Sequence, residues 1–338
     1  MSFKNRGKYD KIINGDIVNY KNKMLGPLLL VITAILWGLT FVSQRLGSDY
    51  IEAYTYNFLR FSISGFIMLI FYLVNKPIRR KKLSEDELLK EKEVIKANNR
   101  DKKLVIYVIL VGVFLFIGAT FQQIGITLTK NASKCGFISA TYIVFVPIFC
   151  LAVFHDRIRH IIWLYLVVSL VGFFLISIKE GFSLEIGDVF TIISALGYAG
   201  QISMISRIAK RVNGVYLAFV QFLICGVLSM VFMLIFNTPT LENIVKALPS
   251  VVFAAIFSGC IAFTLQIYGQ KYTDPTIASM IMSLESVFSL IFSMIILSEM
   301  LTLREFIGSG LIFLSIILAQ IDFKELKHLK EERKNAST

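Results

Sequence analysis

Apolar positions in this chain fall in long unbroken runs, with neither the alternation of strands nor the stripes of soluble helices. Ten such runs lie at about 25–45, 52–74, 104–126, 134–154, 160–178, 186–207, 214–236, 248–270, 275–297 and 303–321. Each has the roughly 17 to 25 residues a helix needs to cross a hydrocarbon core about 30 Å thick. Short polar turns separate them, apart from one charged stretch, 75–103, which suits a solvated linker holding at most a surface helix. The pattern predicts an all-α polytopic membrane protein with ten transmembrane helices. Composition agrees, since 56% hydrophobic residues over 338 and a mean hydropathy of +0.70 are far too apolar for a soluble fold.

Charge decides the orientation. The net charge of +12 is concentrated in alternate connections: 1–24, 75–103, 155–159, 208–213, 271–274 and the tail after 321. The other set holds only Arg45, Lys130, Lys134, Lys179, Lys246 and Arg304. The positive-inside rule therefore puts both termini in the cytoplasm. Nucleic acid is not an expected partner, because no basic stripe interleaves with aromatics on a soluble domain. The polar first 23 residues lack a cleavage site of the signal-peptide type, so the first apolar run reads as an uncleaved helix. Cys135, Cys150, Cys225 and Cys260 fall in four different helices without CxxC or Cys/His pairing, and read as small core residues. His155, His160 and His328 read as solvated, so no metal or cofactor is expected. Phosphate-binding loops, nucleophile elbows and HExxH pairs are missing from the sequence, which argues against ATP hydrolysis and against an enzyme.

The chain repeats itself. A shift of 161 residues lays the first two helices on the sixth and seventh, so that Trp37 meets Tyr198 and Gly65 meets Gly226. A shift of 143 lays helices three to five on eight to ten, pairing Gln123 with Gln266 and Asp156 with Glu299. The difference of 18 residues falls in the long linker. Five crossings per copy reverse the second copy, which predicts two inverted five-helix repeats with binding near the midplane between them. The expected parts are a cytoplasmic segment 1–24, a first repeat 25–178 containing the linker 75–103, a second repeat 186–321, and a basic tail 322–338.

The stretches ILWGLTFVSQRLG and FLRFSISG in the first half, and YTDPTIASMIMSLESVFSLIFSMIILSEMLTLREFIGSGLIFLSIIL in the second, resemble the EamA-type drug/metabolite transporters. The resemblance covers nearly all of 25–321. It departs at Ser286, where members often carry proline, and at Tyr165, where the first copy lacks the glycine found at Gly308. It implies a ten-helix exporter or permease for small metabolites, amino acids among them, in the cytoplasmic membrane.

Chemistry centres on Glu285, the one carboxylate in the run 277–297. A rise of about 1.5 Å per residue from Pro275 puts it roughly 15 Å deep, where a carboxylate costs on the order of 2.5 to 3.5 kcal/mol. It reads either as a site for a substrate amine or a coupled proton, or as a structural hydrogen-bonding residue; a serine stripe on the same helix fits both a cavity wall and close helix packing. Tyr142 is its mate in the first copy. Pro147, deeper in that helix, frees a carbonyl and offers a kink. Arg60, about 12 Å deep in the second helix, suits a substrate carboxylate, or pairs structurally with Glu52 or a helix-end carbonyl. Trp37 and Tyr198 lie mid-helix, away from the interfacial belts where such rings gather. Gln123 and Gln266 sit toward opposite membrane faces and suit two gates, with ordinary interhelical hydrogen bonds as the plain alternative. The expected substrate-binding set is thus Trp37, Tyr142, Tyr198, Glu285, Arg60, Gln123 and Gln266. The leading reading is a secondary transporter working by alternating access, with small-molecule substrate, lipid surroundings and proton coupling through Glu285. A lipid or lipid-linked sugar flippase is the alternative, marked by a basic-flanked opening toward lipid. Substrate, direction and oligomeric state are not legible.

Overall fold

The structure, a computed structural model, describes residues 3–80, 84–177, 185–297 and 303–320, with side chains described from Met24 onward. The expected tail 322–338, His328 and Lys179 lie outside the described residues. Within them the chain is helical throughout, with no strand. Eight helices are long and apolar enough to cross a membrane: Met24–Gly47, Ala53–Ile78, Lys102–Thr129, Ala132–Phe154, Ile186–Ile208, Gly214–Phe236, Leu241–Gln270 and Pro275–Ile296. Two shorter apolar helices, His160–Leu175 and Phe306–Ala319, occupy the places of the fifth and tenth expected crossings.

We number the helices α1 (Phe3–Gly47), α2 (Ala53–Arg80), α3 (Glu85–Arg100), α4 (Lys102–Thr129), α5 (Ala132–Ser139), α6 (Tyr142–Phe154), α7 (His160–Ser177), α8 (Ile186–Ile208), α9 (Gly214–Phe236), α10 (Leu241–Phe253), α11 (Thr264–Gln270), α12 (Pro275–Met282), α13 (Leu284–Leu297) and α14 (Leu303–Gln320). A π-helical segment, Ala254–Phe263, joins α10 to α11. Local sequence accounts for the starts. Asn131, Asn213 and Thr240 each accept a backbone N–H in the first turn of α5, α9 and α10, and Asp274 does so ahead of Pro275 in α12. Lys130 and His155 close α4 and α6 with positive φ, the left-handed end geometry more usual for glycine. In the linker, Ser84 and Glu87 form a reciprocal capping box that starts α3.

Two corrections to the sequence expectations concern helix continuity. The expected fourth crossing is broken between α5 and α6 at Ala140–Thr141, and the ninth between α12 and α13 at Ser283. The expected eighth crossing, 248–270, starts earlier, at Leu241, and contains the π segment.

The residues divide into two compact units, one of 1–156 with 183–300, the other of 157–182 with 301–338. In the smaller unit α7 packs along α14, close enough that a Cβ on Gly172 would lie 2.7 Å from the Gly308 carbonyl oxygen, and the Ser169 and Ser315 hydroxyls hydrogen-bond across the contact. In the larger unit α2 runs antiparallel to α9: Tyr54 stacks on Phe232 and Phe236 at one end, and Tyr72 meets Tyr216 at the other. Between these ends Phe61 stacks on Phe222, its equivalent in the 161-residue shift, with ring centroids 5.8 Å apart. The paired glycines serve the same contact, since Gly65 faces Phe222 and Gly226 faces Phe61 and Ser62. α4 crosses α8 backbone to backbone, with the Cβ position of Gly197 only 2.4 Å from the Gly118 nitrogen. Large apolar side chains such as Phe66, Leu73, Leu234, Ile235 and Phe236 face outward, while Gln44, Gln123, Gln201, Gln221 and Gln266 are buried. That inside-out distribution is what a protein solvated by lipid requires.

Polar contacts mark the two ends of the larger unit. At the end carrying α3, here the linker end, Arg207 pairs with Asp156, and Arg211 with Asp101 at 2.8 Å. At the far end Asp49 bridges Arg45 (2.8 Å) and Lys130 (3.0 Å), and Lys134 holds buried Asp188 at 2.8 Å and Glu185 at 3.2 Å. Asp49 and Asp101 are outside the membrane-spanning segments, and hydrogen bonds from Lys130 and Arg211 respectively hold their carboxyls below the ordinary value of 3.8.

Candidate functional site

The two helix breaks meet at one place. Each is a tight turn: Ile143 N–H bonds Ala140 O and Val144 N–H bonds Thr141 O in one, and Ser286 N–H bonds Ser283 O in the other, all three residues back instead of four. Hydroxyls take up carbonyls loosened there, Thr141 bonding Ile138 O, Ser283 bonding Met280 O and Ser286 bonding Ser283 O. Adding 143 to 140 gives 283, so the breaks occupy equivalent positions in the two copies. Just after each comes the residue that faces inward: Tyr142 in one, Glu285 in the other.

Between them lies a small enclosed cavity of about 20 Å³, room for roughly one water. Every residue lining it is buried. Of the seven residues expected from sequence, the structure brings five to its wall: Trp37, Arg60, Tyr142, Tyr198 and Glu285. Their elements differ, coming from α1, α2, α6, α8 and α13, so the site is assembled from both copies.

Each side chain has a defined setting. Tyr142 meets Tyr198 edge to face, with ring centroids 6.4 Å apart, and its hydroxyl lies beside the Glu285 carboxyl without ordinary hydrogen-bond geometry to any group. The Tyr198 hydroxyl donates to Gln122 Oε1 at 3.0 Å, and Gln122 Nε2 donates to Ser139 Oγ at 3.0 Å. Trp37 packs edge-on against Phe263, which in turn touches Phe61 and Phe222. Arg60 donates from Nη2 to Ser258 Oγ on the π segment, and its guanidinium carbon lies 4.9 Å from the Phe61 ring centroid. The structural alternatives named for Arg60 are thereby corrected: its partner is neither Glu52, which is exposed, nor a helix-end carbonyl. Arg60 Nε, Arg60 Nη1 and Trp37 Nε1 have no hydrogen-bond partner among the described residues. Unspent donors in a closed apolar setting are costly, on the order of 1 to 3 kcal/mol each, unless something fills the site.

The other two expected residues, Gln123 and Gln266, do not line this cavity. Gln123 exchanges hydrogen bonds with Gln44, toward the far end, giving to Gln44 O at 3.3 Å and taking from Gln44 Nε2 at 3.1 Å. Gln266 exchanges bonds with Gln201, which also donates to Gln221 Oε1 at 3.1 Å. Gln44 and Gln201 themselves line the cavity. Thus each expected glutamine braces an unexpected one. Sequence reasoning also passed over Gln122, Ser258 and Phe263; a polar residue within a long apolar run was the available signal for the first two. The serine stripe around Glu285 has a packing role: Ser133 Oγ bonds Ser293 Oγ at 3.1 Å, and Gly38 and Gly136 fit closely against Ser289. None of those serines lines the cavity.

With this geometry established, comparison with known proteins decides the family. The sequence profile of the EamA-like transporter family matches the chain twice, over 24–178 and 185–320. The chain belongs to the EamA-like transporter family. An "Uncharacterized transporter" of Archaeoglobus fulgidus is 29% identical over 299 residues, covering 88% of this chain and 87% of its own length. A solved chain described as "Crystal structure of protein" superposes with a TM-score of 0.68 at 17% identity, covering 89% of this chain and 98% of its own, and so shares the fold. As an EamA-like protein with two family repeats, it is a multi-pass membrane transporter of the drug/metabolite transporter superfamily. Family membership points away from an enzyme.

Proposed function

We propose that the chain is a secondary carrier in the cytoplasmic membrane that exports small zwitterionic metabolites, such as amino acids, by alternating access around the Glu285–Tyr142 cavity. In this reading ten helices form two inverted five-helix repeats with both termini in the cytoplasm, so the linker end is the inner end. The excess of Lys and Arg in 75–103, 155–159, 208–213 and 271–274 supports that orientation. The antiparallel α2–α9 pair supports inversion.

One observation carries the proposal: equivalent breaks in the two copies flank a closed cavity that holds a carboxylate, a guanidinium and unspent donors. Paired discontinuous helices at corresponding places are the usual frame of a transport site. The cavity walls bear opposite charges, Glu285 on one side and Arg60 on the other, that make no ion pair with each other. A substrate ammonium suits Glu285, and a substrate carboxylate suits Arg60 Nε and Nη1, with Trp37 Nε1 as a further donor. The small volume fits an occluded state, with ion pairs holding both ends shut. A substrate enters only when one set opens. Hydrogen-bonded tight turns can pivot while the half-helices stay rigid. Glu285 then carries a proton through the cavity when no ammonium occupies it, coupling export to proton entry.

The experiment is efflux of a panel of radiolabelled amino acids from proteoliposomes under an imposed pH gradient, comparing the parent chain with Glu285→Gln. Gradient-dependent efflux that becomes insensitive to pH in the variant, with an unchanged unfolding midpoint, is expected. Equal pH dependence in both proteins sinks the coupling role, and efflux of none of the panel sinks the substrate class.

A further inference from the structure

Away from the transport cavity, a groove of about 1030 Å³ opens between α2, α3, α4 and α9 at the linker end. It shares no lining residue with the central cavity. Its floor is apolar, built from side chains such as Val105, Ile109 and Val220, and α3 supplies one wall through Val94 and Ile95. Its rim is cationic: Lys76, Lys210, Arg211 and Lys271 all line it. Arg211 is engaged with Asp101, but Lys76, Lys210 and Lys271 make no ion pair among the described residues.

Depth identifies the surroundings. α2 and α11 end here and α4 and α9 begin here, so the rim sits at the level where hydrocarbon gives way to headgroups. Tyr72 and Tyr216 pair at the same level, with Lys76 lying over the Tyr72 ring, the arrangement of an interfacial aromatic belt. A groove with an apolar floor and unpaired cations at the headgroup level is complementary to a molecule with acyl chains and a negative head.

We propose that this groove is a binding site for an anionic phospholipid, its phosphate held by Lys76, Lys210 and Lys271 and its chains laid along α4 and α9. Such a lipid touches helices from both family repeats, so it favours the conformation in which these ends keep their present spacing, and the charge of that leaflet tunes the carrier. Each Lys contributes about fivefold in affinity.

The test is native mass spectrometry of the full chain in detergent, titrated with phosphatidylglycerol or with phosphatidylcholine of the same acyl chains. The parent chain is expected to retain phosphatidylglycerol selectively, Lys210→Gln to bind it about fivefold more weakly, and the triple variant Lys76→Gln/Lys210→Gln/Lys271→Gln to lose the selectivity. Lys246→Gln, on α10 away from the groove, is expected to change nothing. Circular dichroism checks the fold of each variant, and Lys210→Gln alone decides the matter if the triple variant does not fold. Equal binding of both lipids by the parent chain, or an affinity for phosphatidylglycerol that Lys210→Gln leaves unchanged, overturns the proposal. So does full competition by soluble glycerol phosphate, which would mark a site for free phosphate instead of a lipid.

Discussion

At the residue scale, the chemistry rests on groups that are present but not satisfied. Arg60 spends one donor on Ser258 and keeps two free atoms beside the cavity. If those atoms hold a substrate carboxylate, Arg60→Gln, which copies its repeat equivalent Gln221, lowers substrate affinity by roughly 10- to 100-fold, the worth of hydrogen bonds to a charged group. The unfolding midpoint should hold, because an unpaired buried cation is not itself a source of stability. Equilibrium binding together with thermal unfolding of the purified variant separates the two effects; a collapse of the midpoint with unchanged affinity would make Arg60 structural. The charged and aromatic members of this site were legible in sequence because each is out of place in its run: Glu285, Arg60, Trp37. The glutamines were only half legible. Gln123 and Gln266 announced themselves as repeat equivalents, yet Gln44, Gln122 and Gln201 face the cavity, since one step along a helix turns a side chain by about 100°.

At the element scale, the decisive features are interruptions. Hydropathy reports how long an apolar run is, and a tight turn of two residues inside one leaves that length unchanged. Neither break contains proline or glycine, the residues that usually signal one: Ala140, Thr141 and Ser283 are all compatible with a helix. Pro147, which did suggest a kink, lies inside α6 beyond the break. The π segment was hidden for the same reason. Close crossings hold these pieces in register, and one of them beside Glu285 is at Gly38, where a Cβ would lie 2.5 Å from Phe288 Cβ, 2.8 Å from Ser289 N and 2.9 Å from Glu285 O. Two of those atoms are backbone and cannot turn aside. Gly38→Ala is therefore expected to push α1 from α13 at a cost of about 1 to 3 kcal/mol and to impair transport. Gly310→Ala, with nothing within 4 Å, is the neutral control. Thermal unfolding in one detergent compares them, and equal midpoints would mean that the α1–α13 contact yields more readily than its geometry implies.

At the scale of the whole molecule, the internal repeat was the most legible property, because it is a sum over many residues and survives errors at any one. The two copies seen as shifts of 161 and 143 are the two family matches, and the side chains they pair, Phe61 with Phe222, stack against each other. The ion pairs at the two ends were not legible, since those at the linker end join residues 51 to 110 positions apart. Their pH response follows from Asp49. Its carboxyl is held low by Lys130 and then Arg45, so the contribution to the folded state is complete above the ordinary value of 3.8 and is lost as pH falls through the lower folded value. Exposed pairs of this kind contribute less than about 1 kcal/mol each. A modest fall in midpoint below about pH 4 is expected in the parent chain, and a smaller one in Asp49→Asn; identical acid profiles would remove Asp49 from the clasp.

The central claim is that the closed cavity opens to the two membrane faces in turn. Thr40 lines it and is buried, so a single cysteine there, with Cys135, Cys150, Cys225 and Cys260 replaced by alanine, reports access directly. In oriented vesicles a membrane-impermeant maleimide applied to either face should label Thr40→Cys. Ser133 and Ser293 hydroxyls lie 3.1 Å apart and join α5 of one copy to α13 of the other, so a disulfide between Ser133→Cys and Ser293→Cys should abolish labelling from the far face and preserve it from the linker face. Labelling from neither face in a chain that transports, or labelling from both faces unaffected by the cross-link, would contradict alternating access through this cavity.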